Sequence, residues 1–139
     1  MKFTNFIVII SALAAVRFGM ILGGIIPPLA SNSPENVAFS LAMIAMILYM
    51  GWSFSDLGLK KAAFKGFVVT AVTMAILCLA AMISQAMHRP LIGINLPGNF
   101  FLINIILVLA ALSAENIILG ILAAVLGAYA RRIAKKWER

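Results

Sequence analysis

Two charged side chains lie inside stretches of the sequence that are otherwise apolar enough to cross a membrane. Arg17 interrupts the first stretch and Glu115 interrupts the last one. A charge near the centre of a bilayer costs at least about 2.5–3.5 kcal/mol on insertion scales, so such a residue usually faces an opposite charge or a cavity that holds water. Arg17 and Glu115 are therefore the first candidates for chemistry in this chain.

The depths of the two charges in the membrane are similar. Arg17 lies about 12 residues beyond the expected start of the apolar core, roughly 18 Å deep at 1.5 Å per residue. Glu115 lies 16 residues before Arg131, which is roughly 24 Å along its helix and less in depth if that helix tilts. We predict an Arg17–Glu115 ion pair between the first and fourth helices. Asn116 and Ser113 are its expected hydrogen-bonding neighbours.

The composition places the whole chain in a membrane. Of its 139 residues, 64% are hydrophobic and 11% are charged, whereas a soluble domain is roughly half apolar and a quarter charged. The mean hydropathy is +1.11. These values exclude a free cytosolic globule, a disordered chain and a nucleic-acid-binding protein in spite of the net charge of +7. The single cysteine, Cys78, excludes an internal disulfide and a CxxC metal knuckle.

Four apolar stretches are long enough to cross a hydrocarbon core of about 30 Å, which takes about 20 residues in a helix. They cover about residues 3–29, 36–54, 62–87 and 99–130. Each stretch should be helical because backbone groups find no water in lipid. The predicted fold is an all-α integral membrane protein, a four-helix transmembrane bundle. It forms a single domain over residues 1–139 and ends in a short basic cytoplasmic tail at 131–139.

The lysines and arginines predict the orientation, because cytoplasmic loops carry an excess of positive charge. With four crossings, nine of the 11 basic residues fall on one side, together with both termini. These nine are Lys2, Lys60, Lys61, Lys65, Arg131, Arg132, Lys135, Lys136 and Arg139. We predict that both termini are cytoplasmic and that the membrane is a prokaryotic cytoplasmic membrane.

The fourth stretch is too long for one upright crossing. From Asn99 to Tyr129 it has 31 residues, roughly 46 Å at 1.5 Å per residue. The polar sequence Ser113-Ala114-Glu115-Asn116 lies near its middle, and there we predict a helix that is kinked or broken. A re-entrant hairpin is the alternative, but it would place the basic tail on the outer side, against the charge bias.

Small residues form stripes on the first and fourth helices. Gly19 and Gly23 make a GxxxG match, which lets two backbones approach closely in lipid. Gly120 and Gly127 lie on a similar face of the fourth helix. Arg17 points roughly 200° away from Gly19, so the two faces meet different neighbours. We expect a homo-oligomer or a larger membrane complex, with close packing inside one chain as the alternative.

The two outer loops share a pattern. Pro28-Leu29 and Pro90-Leu91 are each followed by a short spacer and by Asn-x-Pro-x-Asn, about 62 residues apart. A duplicated two-helix hairpin would give such a pattern. Proline and asparagine are also common in any loop as turn formers, which is the simpler explanation.

No catalytic group, cofactor or metal ion is predicted. The chain has no paired carboxylates within one span, no phosphate-binding glycine loop and no cluster of metal ligands. Met74, Cys78 and Met82 have the spacing of soft copper ligands, but methionine is also ordinary apolar filler. The expected partners are the bilayer, anionic lipids at the basic tail and other membrane subunits, without nucleic acid.

These features together predict a small non-enzymatic polytopic membrane protein. It would work as a homo-oligomer or as an accessory subunit in membrane transport or energy coupling, with a solute or proton breaking the Arg17–Glu115 pair. The alternative is a structural or assembly protein in which the same pair only locks the packing of the helices, as buried polar groups do in other apolar settings. We also leave open that Arg17 extends to the outer interface and that Glu115 contacts another subunit.

Overall fold

The structure is a computed structural model that describes residues 2–31, 33–89, 91–92 and 101–137, with the backbone alone at 101–105. The described residues form four α-helices and one short 3₁₀ helix, and they contain no strand. The helices are α1 (Phe3–Leu22), α2 (Pro34–Ser53), α3 (Leu59–Ala86) and α4 (Phe101–Trp137), and the 3₁₀ helix covers Ser55–Leu57.

All four helices are long and apolar enough to span a membrane. The predicted all-helical class with four helices long and apolar enough to span a membrane is confirmed. Many large apolar side chains point out of the bundle; examples are Val8, Leu41, Phe64, Leu79 and Leu107. A soluble protein rarely exposes so much contiguous apolar surface, whereas lipid covers it at no cost.

Local backbone chemistry sets the helix ends and shifts them from the predicted positions. α1 stops at Leu22, well before residue 29, because Gly24 has φ +73°, a left-handed conformation that favours glycine, and Pro27 lacks an N–H. α2 begins at Pro34, where the Ser33 hydroxyl accepts the Asn36 N–H at 3.3 Å. Serine before a first-turn proline is a strong helix start.

α4 is one continuous helix over its 37 residues. The predicted break at Ser113–Asn116 is wrong, and the re-entrant hairpin is not formed; bending of α4 at that point stays a prediction. The helix is roughly 56 Å long at 1.5 Å per residue, longer than a hydrocarbon core. The basic segment predicted as a separate tail from residue 131 is, up to Trp137, the last part of this helix.

The helices run alternately up and down, because the start of α1, the end of α2, the start of α3 and the end of α4 meet. The rings of Phe3 and Phe54 lie edge to face at 6.1 Å, and Lys65 Nζ lies 3.8 Å from the centre of the Phe3 ring. Arg131 Nη1 donates to the Trp52 carbonyl at 3.0 Å. We call this the basic end; its cytoplasmic location stays a prediction.

The opposite end, called the loop end, is closed by contacts between the segments that follow α1 and α3. The Leu29 N–H donates to the Leu91 carbonyl at 2.9 Å, and the Ala30 N–H donates to the Ile92 carbonyl at 2.8 Å. These paired residues are the ones that the 62-residue pattern relates. The rest of that pattern in the second loop, at 95–99, lies outside the described residues, so the duplication stays a prediction.

α1 and α4 lie on opposite sides of the bundle. α4 packs against α2 and α3, and α1 packs against the same two helices. Among the described residues, no Cα of α1 lies within 8 Å of a Cα of α4. Apolar clusters fill the bundle near each end, one around Phe18 and Leu77 and the other around Phe6 and Met50. Side chains on facing walls of α1 and α4 therefore meet a space bounded by α2 and α3.

Candidate functional site

A partly open cavity of about 300 Å³ lies between the four helices. It is at the lower end of the roughly 300–1,000 Å³ range of ligand pockets, and it has the volume of about ten water molecules. Most of its wall is apolar. The polar side chains that line it are Arg17 from α1, Ser40 from α2, Thr70 and Thr73 from α3, and Glu115 and Asn116 from α4.

Arg17 is held at the cavity by Asn36. Its Nε donates to Asn36 Oδ1 at 3.2 Å. The Asn36 amide nitrogen in turn donates to the carbonyls of Pro27 at 3.0 Å and Pro28 at 3.1 Å. Because a carbonyl can only accept a hydrogen bond, the Asn36 amide turns its nitrogen towards Pro27 and Pro28, and this orients Oδ1 towards the guanidinium. The loop after α1 thereby fixes the direction of the Arg17 side chain.

Asn36 is a site residue that the sequence pattern did not indicate, since it is the last residue of the first Asn-x-Pro-x-Asn loop motif. It is 3% exposed and lies in the first turn of α2, while Arg17 lies five residues before the end of α1. Both positions are within about two turns of the loop end. Asn36 could have been found by comparing the depth of Arg17 with the depths of uncharged polar residues, and not only of charged ones, on the neighbouring helices.

The remaining nitrogens of Arg17 are open to the cavity. Nη1 and Nη2 donate no hydrogen bond to any described residue, since the Nε bond to Asn36 is the one that Arg17 makes within that part of the chain. Arginine carries five N–H donors and no acceptor. Within the described part of the chain, the terminal nitrogens of Arg17 therefore remain free as donors at the cavity that this residue lines.

The predicted Arg17–Glu115 ion pair is not formed. Within the described ranges, the one ion pair with a nitrogen–oxygen distance of 4.0 Å or less joins Lys135 to Asp56. The reason is the arrangement of the helices around the bundle. α2 and α3 separate the backbones of α1 and α4, so two residues at similar depths on α1 and α4 need not be neighbours. Arg17 and Glu115 instead line the same cavity from opposite helices.

Of the two other residues predicted for the polar site, Asn116 lines the cavity and Ser113 does not. Asn116 lines the cavity beside Glu115, and its Nδ2 donates to the Leu112 carbonyl at 2.7 Å. The Asn116 oxygen stays available as an acceptor. Ser113 is half-buried but is not among the described residues that line the cavity.

Three hydroxyl groups add acceptors to the cavity wall. Thr70, Thr73 and Ser40 each donate their single hydroxyl proton to a carbonyl one turn earlier in their own helix, at 2.7, 3.0 and 3.0 Å. A hydroxyl that has given its proton to the backbone keeps lone pairs for another donor. The cavity thus offers donors from α1 and mainly acceptors from the other helices.

The glycines predicted for helix packing separate into two groups. A Cβ on Gly120 would collide with the Thr70 side chain, and a Cβ on Gly127 would collide with the Leu48 backbone. Both positions need glycine because α4 lies close to α3 and α2 there. A Cβ on Gly19 would meet no other segment of the described chain within 4 Å, and the nearest atoms to a Cβ on Gly23 belong to residues 19, 20 and 25. The GxxxG face of α1 is unoccupied within the described chain.

Charges at the basic end contact groups of the same chain. Lys135 Nζ lies 2.7 Å from Asp56 Oδ1, and Arg131 donates to the Trp52 carbonyl. The hydrogen bond from Lys135, together with its charge, holds the pKa of Asp56 below its ordinary value. These contacts tie the end of α4 to the turn between α2 and α3. Binding of anionic lipids at this end stays a prediction.

The soft-ligand pattern on α3 does not form one pocket. Met74 is buried at the cavity, whereas Cys78 and Met82 are exposed. Over the part of the chain that the structure describes, no three His, Cys, Asp or Glu side chains come together as a metal site would require. A copper path along this helix finds no support in the geometry.

Comparison with known proteins leaves the site to be judged on its own chemistry. No protein-family model matches the chain, and no curated protein sequence or solved structure is significantly similar to it. The assignment of a function therefore depends on two opposite charges that line one cavity without forming an ion pair.

Proposed function

We propose that this small, non-enzymatic membrane protein works in membrane transport or energy coupling, as a homo-oligomer or as an accessory subunit, and that a solute binds in its central cavity. One observation carries the proposal. Arg17 and Glu115 face a common cavity instead of neutralising each other by direct contact. Ionisable residues inside membrane spans that face a cavity mark substrate and ion pathways.

The energetics favour a binding role for these charges over a purely structural one. A buried ion pair can often be replaced by apolar residues without loss of stability. Glu115 is exposed, whereas the half-buried Arg17 loses water without a direct ion pair to any described residue, so its desolvation is not offset by such a pair. A bound solute or ordered water would compensate that cost.

The proposal of an oligomer or a larger complex is supported by the surface of α1. Gly19 and Gly23 form a close-approach motif, yet Gly19 is exposed, and a Cβ at this position would meet no neighbouring segment of the described chain within 4 Å. We expect Gly19→Leu to shift the native mass spectrum towards monomer. Ala75→Leu, at an exposed small residue of α3 rather than on the glycine face of α1, is the matched control. An unchanged spectrum for both variants would contradict the oligomer.

The structural alternative is favoured by a different observation, the hydrogen bonds of Asn36. Asn36 joins Arg17 of α1 to the carbonyls of Pro27 and Pro28 and lies itself in α2. This network locks the loop end and gives Arg17 a role in packing whether or not a solute binds. It does not involve Glu115, so the two functions predict different results for that residue.

Efflux from proteoliposomes tests the proposal. Vesicles are loaded with a defined mixture of amino acids, carboxylates, amines and sugars together with a pH-sensitive dye, and release is followed by mass spectrometry and fluorescence. We expect at least one solute, or protons, to leave faster with the natural protein than with Arg17→Gln/Glu115→Gln. Lys61→Gln, at an exposed lysine of the basic end, should release like the natural protein.

Equal release by the natural protein and the double variant would contradict the proposal. If the natural protein and the double variant release every solute and protons at the same rate, and both proteins are folded and helical, the transport function is wrong. The assembly function would then account for Arg17 and Asn36.

A further inference from the structure

The two walls of the cavity carry opposite hydrogen-bonding character. On the α1 wall, Arg17 presents Nη1 and Nη2 as donors, with its orientation fixed through Nε by Asn36. On the α4 wall, Glu115 presents a carboxylate that accepts no hydrogen bond from the described residues, and Asn116 keeps a free oxygen because its nitrogen is bonded to Leu112. One wall can bind an anion and the other can bind a cation.

We infer that the solute of this cavity is a small zwitterion, whose anionic group pairs with Arg17 and whose cationic group pairs with Glu115. The inference rests on the proposed function and names the chemical class of its substrate. A carboxylate fits the free edge of the guanidinium, which favours bidentate contact with planar anions. An ammonium group fits the carboxylate and the acceptor oxygens beside it.

Charge balance excludes the simpler classes of solute. A bound anion would satisfy Arg17 but would add a second negative charge to a space that already contains Glu115. A bound cation would do the same beside Arg17. Like charges in a low-dielectric site repel strongly. A zwitterion compensates both residues at once and brings no net charge into the membrane.

The size and the apolar wall of the cavity limit the solute further. About 300 Å³ admits a molecule of amino-acid size. Met43, Met74 and Leu119 line the space between the two charged walls. The solute therefore carries an apolar portion next to its two charged groups.

Four probes with an unbranched six-carbon chain separate the possibilities. Norleucine and 6-aminohexanoate are zwitterions with their charges close together and far apart, hexanoate carries only the negative charge, and hexylamine carries only the positive one. Binding is measured by isothermal titration to the protein in lipid nanodiscs, with empty nanodiscs as the reference for partition into lipid. We expect one of the zwitterions to bind at least about tenfold tighter than hexanoate or hexylamine.

Variants connect that preference to the two charges. Glu115→Gln should remove the advantage of the zwitterion over hexanoate, and Arg17→Gln should remove its advantage over hexylamine. Glu115 makes no hydrogen bond within the described residues, so its variant should keep the fold. Because Arg17 also binds Asn36, Arg17→Lys is the second test there; it keeps the charge and should retain part of the preference. Lys61→Gln should bind all four probes like the natural protein.

Three results would overturn the inference. Tightest binding of hexanoate with no effect of Glu115→Gln would make this an anion site, and tightest binding of hexylamine would make it a cation site; the proposed function would stand in both cases. Failure of both zwitterions to bind would also overturn it. Solute efflux would then show whether the transport function falls as well.

Discussion

Two cationic side chains enter the apolar bundle, and their surroundings differ. Lys65, near the start of α3, lies with its Nζ 3.8 Å from the centre of the Phe3 ring and 4.3 Å from that of Phe54. Arg17, inside α1, has one partner, Asn36, and leaves its terminal nitrogens open to a cavity. The ammonium group of Lys65 contacts two aromatic rings of its own chain. The guanidinium of Arg17 uses one of its three nitrogens, Nε, in a hydrogen bond to a described residue.

The difference separates a charge that serves the fold from one that is available for a ligand. The negative faces of aromatic rings stabilise a cation whatever else is present, so Lys65 needs no solute. The fork of Arg17 needs an acceptor that the described chain does not supply. If this distinction is correct, a substitution of Lys65 should lower stability and leave solute efflux unchanged, whereas a substitution of Arg17 should reduce efflux. Substitutions that remove more hydrogen bonds or charge contacts should cost more stability.

The largest effect on stability is expected for Asn36→Leu. It leaves the Arg17 Nε without its acceptor and the Pro27 carbonyl without the amide donor of Asn36, so unfolding should become easier by about 2–4 kcal/mol. Steric-trap or denaturant unfolding in micelles measures this. Ser40→Ala, which removes a hydroxyl bonded within its own helix, is the control and should cost much less. Equal stability of the Asn36 variant and the natural protein would contradict the assigned network.

A smaller effect on stability is expected for Lys65→Met. The variant keeps the apolar stem but removes the cation from the two rings, which should cost about 0.5–2 kcal/mol. Solute efflux should remain normal, in contrast to Arg17→Gln. Lys61→Met at an exposed position of the same helix should change neither property. Loss of efflux in Lys65→Met with its fold intact would break the distinction between the two cations.

The smallest effect is expected at the exposed pair of Asp56 and Lys135. The folded-state pKa of Asp56 is lowered by Lys135, so the pair stabilises the fold at pH values above the ordinary aspartate pKa of 3.8. That contribution is lost as the pH falls through the lower folded-state pKa. Thermal melts from pH 6 to about pH 3 should show Asp56→Asn slightly less stable at pH 6 and equal at the acidic limit. A difference that grows on acidification would contradict the sign.

The sequence predicted the membrane helices because hydropathy and length suffice for them. It did not predict their lateral order. Depth along a helix placed Arg17 and Glu115 at similar levels, but only tertiary packing determines that α2 and α3 lie between their backbones. The order depends on close contacts such as Gly120 against Thr70, which hydropathy does not encode.

The expected break in α4 shows a second limit of prediction from the sequence. Polar residues in the middle of an apolar stretch were taken as an interruption of the helix. Asn116 instead donates to the carbonyl of Leu112, one turn earlier in the same helix, so its amide nitrogen is satisfied within a continuous helix. Polarity predicted where a functional group lies, but it did not predict how the backbone accommodates that group.

A double-mutant cycle between Arg17 and Glu115 tests the central claim most directly, which is that these charges face a shared cavity rather than each other. Unfolding free energies are measured in solute-free micelles for the natural protein, Arg17→Gln, Glu115→Gln and the double variant. The account predicts that the two single effects add to within about 0.5 kcal/mol, as for residues that are not in contact. A favourable coupling of about 1 kcal/mol or more would show a direct ion pair and contradict the account.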